Sequence, residues 1–309
     1  MKKDSGNIIV DKKVVLIADG VLVIAAILWG GEYVAMKIAV SEITPMYMNF
    51  FRFIFSSLIL SIIFWGKTKN IKKEDMKAGA AIGFFMFCGF GFGTVGIQYV
   101  DAGVTAFLTS TYAVFTPILA MIIYKYKPSL QIIVGSLVCI TGIALLTLDG
   151  DLRIGYGEIL ILISALSFAF YIIATEYYVK KRDVITVTIT EGVFATAFYL
   201  VFAIIFEGKP NLSEYRAAIL PMTYLVIFGT VITDLLFNSA LKYTSSTHCA
   251  IIVSLEAIFA ALIGVLLLNE LLTIKIIFGS ILVFVAILII ETEILHIPCL
   301  VGKGKDDKI

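Results

Sequence analysis

Apolar residues run in long stretches along this chain, and polar residues gather in short clusters between them. A helix that crosses the hydrocarbon core of a bilayer takes roughly 20 apolar residues, so stretches of this length predict membrane-spanning helices. Cutting at charge clusters and at Gly and Pro gives runs near 14–36, 44–65, 78–98, 103–124, 130–148, 156–178, 184–206, 217–241, 248–268 and 273–292. The expected fold class is an all-α membrane protein with ten transmembrane helices.

Composition supports the same class. The 309 residues are 60% hydrophobic and 15% charged, with a mean hydropathy of +1.01; a soluble domain is about 45–50% apolar and about 25% charged. Ten spans would use roughly 200 residues, leaving no room for a soluble catalytic domain, an extramembrane receptor or a nucleic-acid module. The four cysteines form no C-x-x-C pair, and nothing suggests a metal site or a cofactor. Charge placement is more informative than the net value of +1. With the N-terminus cytoplasmic, the inside segments hold 18 of the 24 Lys and Arg and the outside segments 5. The positive-inside rule then predicts both termini cytoplasmic; the expected location is the plasma membrane, as a multi-pass protein. The first run has no small-residue cleavage site behind it and reads as a retained helix.

Sliding the chain along itself by 144 residues lays spans 4 and 5 on spans 9 and 10: Ser110 meets Ser254, Phe115 meets Phe259, and Gly135-Ser136 meets Gly279-Ser280. A shift of 139 aligns the front of each half, placing Arg52 on Glu191. A five-span unit is odd, so its second copy sits upside down. The expected organisation is a tail over 1–13, one five-helix repeat over 14–149, its inverted partner over 150–292 and a tail over 293–309. Inverted repeats are a signature of transporters, with the binding site near the midplane.

The residues also resemble a known family, the ten-helix EamA-type branch of the drug/metabolite transporter superfamily. Trp29-Gly30-Gly31-Glu32-Tyr33 with Lys37 resembles that family's first helix, and Pro45 followed by Arg52-Phe53 resembles its second. Ala240 to Ser245, Ser254-Leu255-Glu256-Ala257 and Asn269-Glu270 resemble its most regular stretch. The resemblance covers about residues 14 to 292 and implies a carrier, often an exporter, of small metabolites. Two positions depart from the pattern. Ala257 stands where the family often has proline, which leaves open whether a kink occurs there, and Tyr126 stands where Glu270 repeats in the first half.

Charges inside a membrane normally face a bundle interior or a water-filled cavity. The candidates are Glu32 and Arg52 in the outer parts of spans 1 and 2, with Glu191, Asp234 and Glu256 in spans 7, 8 and 9. Glu32 and Arg52 fit either a structural ion pair tying two helices or a gate or carboxylate-binding role. Thr230, Asp234 and Asn238 recur at i, i+4 and i+8, one polar stripe on span 8. The 144-residue shift lays Tyr112 on Glu256, so equivalent positions both carry a polar tip. Trp29, Tyr33, Phe168 and Tyr171 offer rings for an aromatic or cationic substrate. The proposed cavity set is thus Trp29, Glu32, Tyr33, Arg52, Tyr112, Tyr171, Glu191, Asp234, Asn238 and Glu256. For any single Ser or Thr, hydrogen bonding between helices is the simpler role. Pro117 is a candidate hinge or static kink in span 4, and its repeat mate Ala261 implies that the halves bend differently. Gly91, Gly93 and Gly96 spell G-x-G-x-x-G, but without a βαβ unit they read as close helix packing. Spans 5 and 10 carry few polar groups and belong at the periphery.

The function this predicts is a secondary-type carrier of small metabolites, amino acids or related aromatic or cationic compounds. It would work as an exporter by alternating access, with protons as a candidate partner. The alternatives are a lipid or lipid-linked sugar flippase of the same fold, or proton-coupled efflux of cationic drugs. An intramembrane enzyme fails on inventory: the two histidines, His248 and His296, lie near span ends, and no H-E-x-x-H is present. Whether the carrier is a monomer or a homodimer is not encoded in these features.

Overall fold

The computed structural model describes residues 12–125, 130–147, 154–210 and 214–294. Tyr126, His296, Cys299 and most of both expected tails lie outside them. In chain order the helices are α1 (Lys12–Ala39), α2 (Pro45–Ile63), the single turn α3 (Trp65–Thr68), α4 (Lys73–Gly96), α5 (Ala102–Thr109), α6 (Tyr112–Tyr124) and α7 (Leu130–Thr147). Then follow α8 (Tyr156–Val179), α9 (Val184–Phe206), α10 (Ile219–Val226), α11 (Thr233–Leu241), α12 (Ser246–Val253), α13 (Glu256–Leu268) and α14 (Ile274–Ile294). A π-helical segment, Ile227–Ile232, joins α10 to α11. Counting α5 with α6, α10 with α11 and α12 with α13 as continuous rods, eight helices among the described residues are long and apolar enough to cross a membrane. Two shorter apolar stretches, Ile133–Leu146 and Ile274–Ile289, lie in α7 and α14.

Polarity is distributed as lipid requires. Leu200, Val201, Ile204, Ile205 and Phe206 of α9 and Leu130, Leu137 and Ile140 of α7 are exposed, while Asn49, Arg52, Glu191 and Asn238 are fully buried. Lipid tails are as apolar as leucine, so such helices associate through close packing and interior hydrogen bonds. The glycines of α4 illustrate the packing. A Cβ at Gly79 would strike Thr190 of α9, one at Gly83 would lie 2.7 Å from the Glu191 carbonyl, and one at Gly96 would lie 2.9 Å from the Gly157 carbonyl of α8. Each of these three approaches requires glycine; within the G-x-G-x-x-G run that holds for Gly96, while a Cβ at Gly91 would meet Tyr199 only at 3.7 Å. Ser164 of α8 adds an interhelical bond to the Gly89 carbonyl at 2.6 Å.

α1 runs among α5, α10, α11, α12 and α13, and α4 is held between α8 and α9. The α7–α14 pair packs chiefly on itself. Gly142 there approaches the Gly279 carbonyl, and the outer faces carry Leu137, Ile140, Phe278 and Ile281.

The two broken rods coincide under the 144-residue shift. α5 and α12 have 8 residues each, and α6 and α13 have 13 each. The breaks fall at Ser110-Thr111 and Ser254-Leu255, and both rods end on a left-handed residue, Lys125 at φ 57° and Asn269 at φ 55°. The two rods are therefore interrupted at equivalent positions, although only one of them contains a proline. α6 continues through Pro117, and the discontinuity lies six residues earlier, where no proline stands in either rod. The break ahead of Ala257 likewise forms without the proline usual at that position.

Candidate functional site

The breaks bring two helix starts to the middle of the bundle, with Tyr112 opening α6 and Glu256 opening α13. Facing them is one side of α1, where Trp29, Glu32 and Tyr33 fall at i, i+3 and i+4 and so share a face. Gly30 sits beside that face, where a Cβ would lie 3.0 Å from the Glu256 carbonyl and would strike Phe259. Its absence lets α1 and α13 approach. The phenols of Tyr33 and Tyr112 each donate to Glu256 Oε1 at 3.1 Å, tying three helices to one carboxylate. Next to this contact Ser110 Oγ lies 3.5 Å from the Ser254 carbonyl, so positions equivalent under the shift touch each other.

A second construction holds Arg52. The π-helical segment loosens the ordinary i→i−4 ladder, and its groups turn to side chains of α1 and α2. The Gly229 carbonyl accepts from Trp29 Nε1 at 3.1 Å and from an Arg52 guanidinium nitrogen at 2.9 Å. Thr230 Oγ1 accepts from Arg52 Nε at 2.7 Å, and Glu32 Oε1 accepts from the remaining terminal nitrogen at 2.7 Å. The guanidinium also lies 4.3 Å from the centroid of the Phe90 ring. Arg52 is the one buried Lys or Arg among the described residues, and its charge is already matched by Glu32. Leaving one member of such a pair alone in the interior costs about 3–5 kcal/mol.

Between these constructions lies a narrow cavity lined by Trp29, Glu32, Tyr33, Phe90, Thr109, Tyr112, Phe168, Tyr171, Ile172, Asp234, Phe237, Val253 and Glu256. Seven of the ten residues proposed from sequence are among them: Trp29, Glu32, Tyr33, Tyr112, Tyr171, Asp234 and Glu256. Arg52 stands behind Glu32. Glu191 and Asn238 lie to one side, joined by a 2.7 Å bond from Asn238 Nδ2 to Glu191 Oε1. The single stripe on span 8 thus serves three partners: Thr230 binds Arg52, Asp234 faces the cavity and Asn238 binds Glu191. Among the lining residues absent from the proposed set, Phe237 and Phe168 carried a readable signal. Phe237 follows Asp234 by three residues and stacks on Tyr171 at 5.9 Å, while Phe168 precedes Tyr171 by three. Phe90 had no comparable signal, because it sits in an aromatic-rich helix and takes its place through Arg52 and an edge-to-face contact with Phe168 at 4.9 Å.

The cavity's free volume is about 40 Å³, against roughly 300–1,000 Å³ for a pocket that surrounds a small molecule. Rings and carboxylates therefore meet here with little room between them. Among the described residues no three His, Cys, Asp or Glu side chains come together to hold a metal ion.

Long apolar helices around a buried polar cavity define a multi-pass helical membrane protein with a polar site in its interior. The comparisons with known proteins give the family. The model of the EamA-like transporter family matches twice, over residues 16–148 and 155–292, and the chain belongs to that family. It is 30% identical over 279 residues to an uncharacterized transporter of Archaeoglobus fulgidus, a match covering 90% of this chain and 87% of the relative. It is 25% identical over 272 residues to the uncharacterized transporter YoaV of Bacillus subtilis, covering 85% and 92%. A crystal structure matches with a TM-score of 0.66 over 91% of this chain and 98% of that chain; at 12% identity it speaks for the fold alone.

Proposed function

We propose that this protein is a secondary carrier that moves small aromatic or cationic metabolites, amines and amino acids foremost, by alternating access around the central cavity. One observation carries the reading. Asp234 and Glu256 line a space walled by aromatic rings, and the buried cation beside it, Arg52, is already bound to Glu32. Such a site favours a positively charged or ring-bearing ligand through charge and ring-face attraction. The narrowness of the space fits an occluded conformation.

In this reading residues 14–149 and 150–292 are two five-helix units, inverted relative to each other, within a ten-helix carrier of the plasma membrane. Both termini, with tails over 1–13 and 293–309, face the cytoplasm. The coincidence of the broken rods and the contacts between equivalent residues Ser110 and Ser254, and Tyr112 and Glu256, support a pseudo-two-fold axis through the cavity. Alternating access then means that one face of the Glu256 cluster opens as the other closes, with net movement outward.

The test is counterflow in proteoliposomes against a panel of amines, amino acids, nucleosides and sugars, with and without an imposed pH gradient. Saturable exchange of amines or aromatic amino acids is expected, weakened in Glu256→Gln. Exchange confined to sugars or nucleosides would overturn the substrate class, and no saturable exchange of any compound would overturn the carrier reading.

A further inference from the structure

Away from the central cavity, at the end of the bundle read above as cytoplasmic, two connections enclose a cleft. One runs from the end of α2 to the start of α4 and carries α3; the other runs from α8 to α9. They come from different segments of the chain, one from each of the two that match the family model. The cleft has a free volume of about 680 Å³ and is lined by four cationic side chains, Lys67, Lys72, Lys181 and Arg182, against two carboxylates, Asp75 and Asp183. Both carboxylates also cap their own helices. Asp75 Oδ2 accepts the Lys72 N–H at 2.9 Å at the start of α4, and Asp183 Oδ1 accepts the N–H and hydroxyl of Thr186 at 3.2 Å each at the start of α9. Of the cations, Lys67 Nζ reaches Asp183 Oδ2 at 2.6 Å. Arg182 lies 3.7 Å from Asp75 Oδ1, an ion pair too long to be a hydrogen bond. Lys72 and Lys181 form no ion pair with a carboxylate among the described residues, so two positive charges are left in excess.

The cleft also sits where apolar and polar surfaces meet. Ile62 and Ile63 end α2 as exposed apolar side chains, Phe64 lines the cleft, and Lys67 follows three residues later. Trp65 and Tyr177 are exposed beside it, each with a lysine over its ring: Lys69 Nζ lies 5.1 Å from the Trp65 ring centroid and Lys181 Nζ 3.5 Å from that of Tyr177. Tryptophan and tyrosine gather where hydrocarbon gives way to headgroups. Lys181 thus stands at that border, with one side of its ammonium on a ring and the rest toward the cleft.

We propose that this cleft binds the phosphate headgroup of one anionic phospholipid, received by Lys72, Lys181 and Arg182, with the acyl chains lying along Ile62 and Ile63. A cleft lined mainly by one sign of charge concentrates the opposite sign. A guanidinium matches the geometry of phosphate oxygens, and basic pockets between membrane helices take anionic headgroups. The apolar border selects a lipid over a free anion, because only a lipid fills both the charged cleft and the strip below it. Since the two connections belong to different segments, a bound headgroup ties those segments together at this end. The site does not depend on the carrier reading.

The experiment needs no substrate. The full chain, purified in a neutral detergent, is titrated with phosphatidylglycerol, with phosphatidylcholine and with inorganic phosphate, reading retained lipid by native mass spectrometry and stability by melting temperature. Expected is one tightly retained phosphatidylglycerol with a raised melting temperature, and neither effect from phosphatidylcholine or phosphate. In Lys72→Gln/Lys181→Gln the apparent affinity should fall roughly twentyfold, about fivefold per lysine. The control Lys73→Gln/Lys77→Gln removes two charges of α4 that do not line the cleft and should leave binding unchanged. Equal retention of phosphatidylcholine, no loss in the cleft variant, or the same loss in the control would overturn the proposal, the last by showing diffuse surface charge. Inorganic phosphate binding as strongly as the lipid would overturn it in favour of a free-anion site. Should the cleft variant fail to elute as a single peak, Lys181→Gln alone decides, with a fall of about fivefold expected and no fall overturning the assignment.

Discussion

The rod formed by α5 and α6 and the rod formed by α12 and α13 share one backbone and differ in chemistry. Both run 8 residues, break, run 13 more and end left-handed. Yet α6 opens with a tyrosine where α13 opens with a glutamate, and it contains Pro117 where α13 has Ala261. The breaks have no common breaker residue; they share a place beside each other, where Ser110 and Ser254 meet. Shape therefore follows the packing of the two rods, and the sequence differences between them are free to carry function.

The largest test of that division exchanges the chemistry at the break. Glu256→Tyr gives both rods the same opening residue and removes the carboxylate that accepts from Tyr33 and Tyr112. Hydrogen bonds to a charged group are worth about 1.5–3 kcal/mol, and a charged ligand would lose its partner as well. Amine counterflow should fall roughly a hundredfold in apparent affinity, while the variant still elutes as a folded protein. Unchanged counterflow would show that the difference between Tyr112 and Glu256 is incidental.

The starts of the rods come next. Glu270 accepts the Ala102 and Gly103 N–H groups at 2.6 and 3.0 Å, capping α5 from the far end of the other rod. The equivalent start at Ser246 is capped through one N–H by Glu176 of α8, at 2.9 Å, and Glu176 also binds Lys180. The position equivalent to Glu270 is Tyr126, which has no carboxylate to offer. Two bonds against one predict that Glu270→Ala costs about 2 kcal/mol and Glu176→Ala about 1, read as melting temperatures of purified protein. A reversed order would mean that the caps do not control the two starts.

Pro117→Ala tests whether the proline shapes its rod. Because the break lies upstream, the substitution should leave counterflow intact and change stability by less than about 1 kcal/mol. Loss of transport with a folded protein would support Pro117 as a hinge.

These contrasts also explain what could be read from sequence. Helix positions were legible because span length and polar punctuation are properties of the chain itself: the runs at 156–178 and 184–206 differ from α8 and α9 by at most one residue. Seven lining residues were legible because a buried charge or a ring on a polar stripe has few other uses in a membrane. The breaks at Ser110-Thr111 and Ser254-Leu255 were not, since neither pair contains Gly or Pro. Nor was the π-helical segment, which is held by Arg52 and Trp29 from other helices. Glu191 and Asn238 were assigned to the right helices, but which of three partners each stripe residue meets depends on neighbouring helices that periodicity does not encode.

The smallest contrast is at the ends of the rods, where the same left-handed backbone carries Lys125 in one and Asn269 in the other. Most L-residues lose roughly 1–2 kcal/mol in that conformation through contact of Cβ with the carbonyl oxygen, and Asn is among the few that visit it readily. Neither side chain is buried, so substitution by glycine tests the backbone with little change in packing. Lys125→Gly should therefore raise stability by up to about 1 kcal/mol, offset in part by the greater freedom of glycine in the unfolded chain. Asn269→Gly should change it by only a few tenths. Melting curves of the two variants side by side check this. If both gain equally, asparagine holds no advantage at this end; if neither gains, the shared termination is set by the segment that follows rather than by the residue in it.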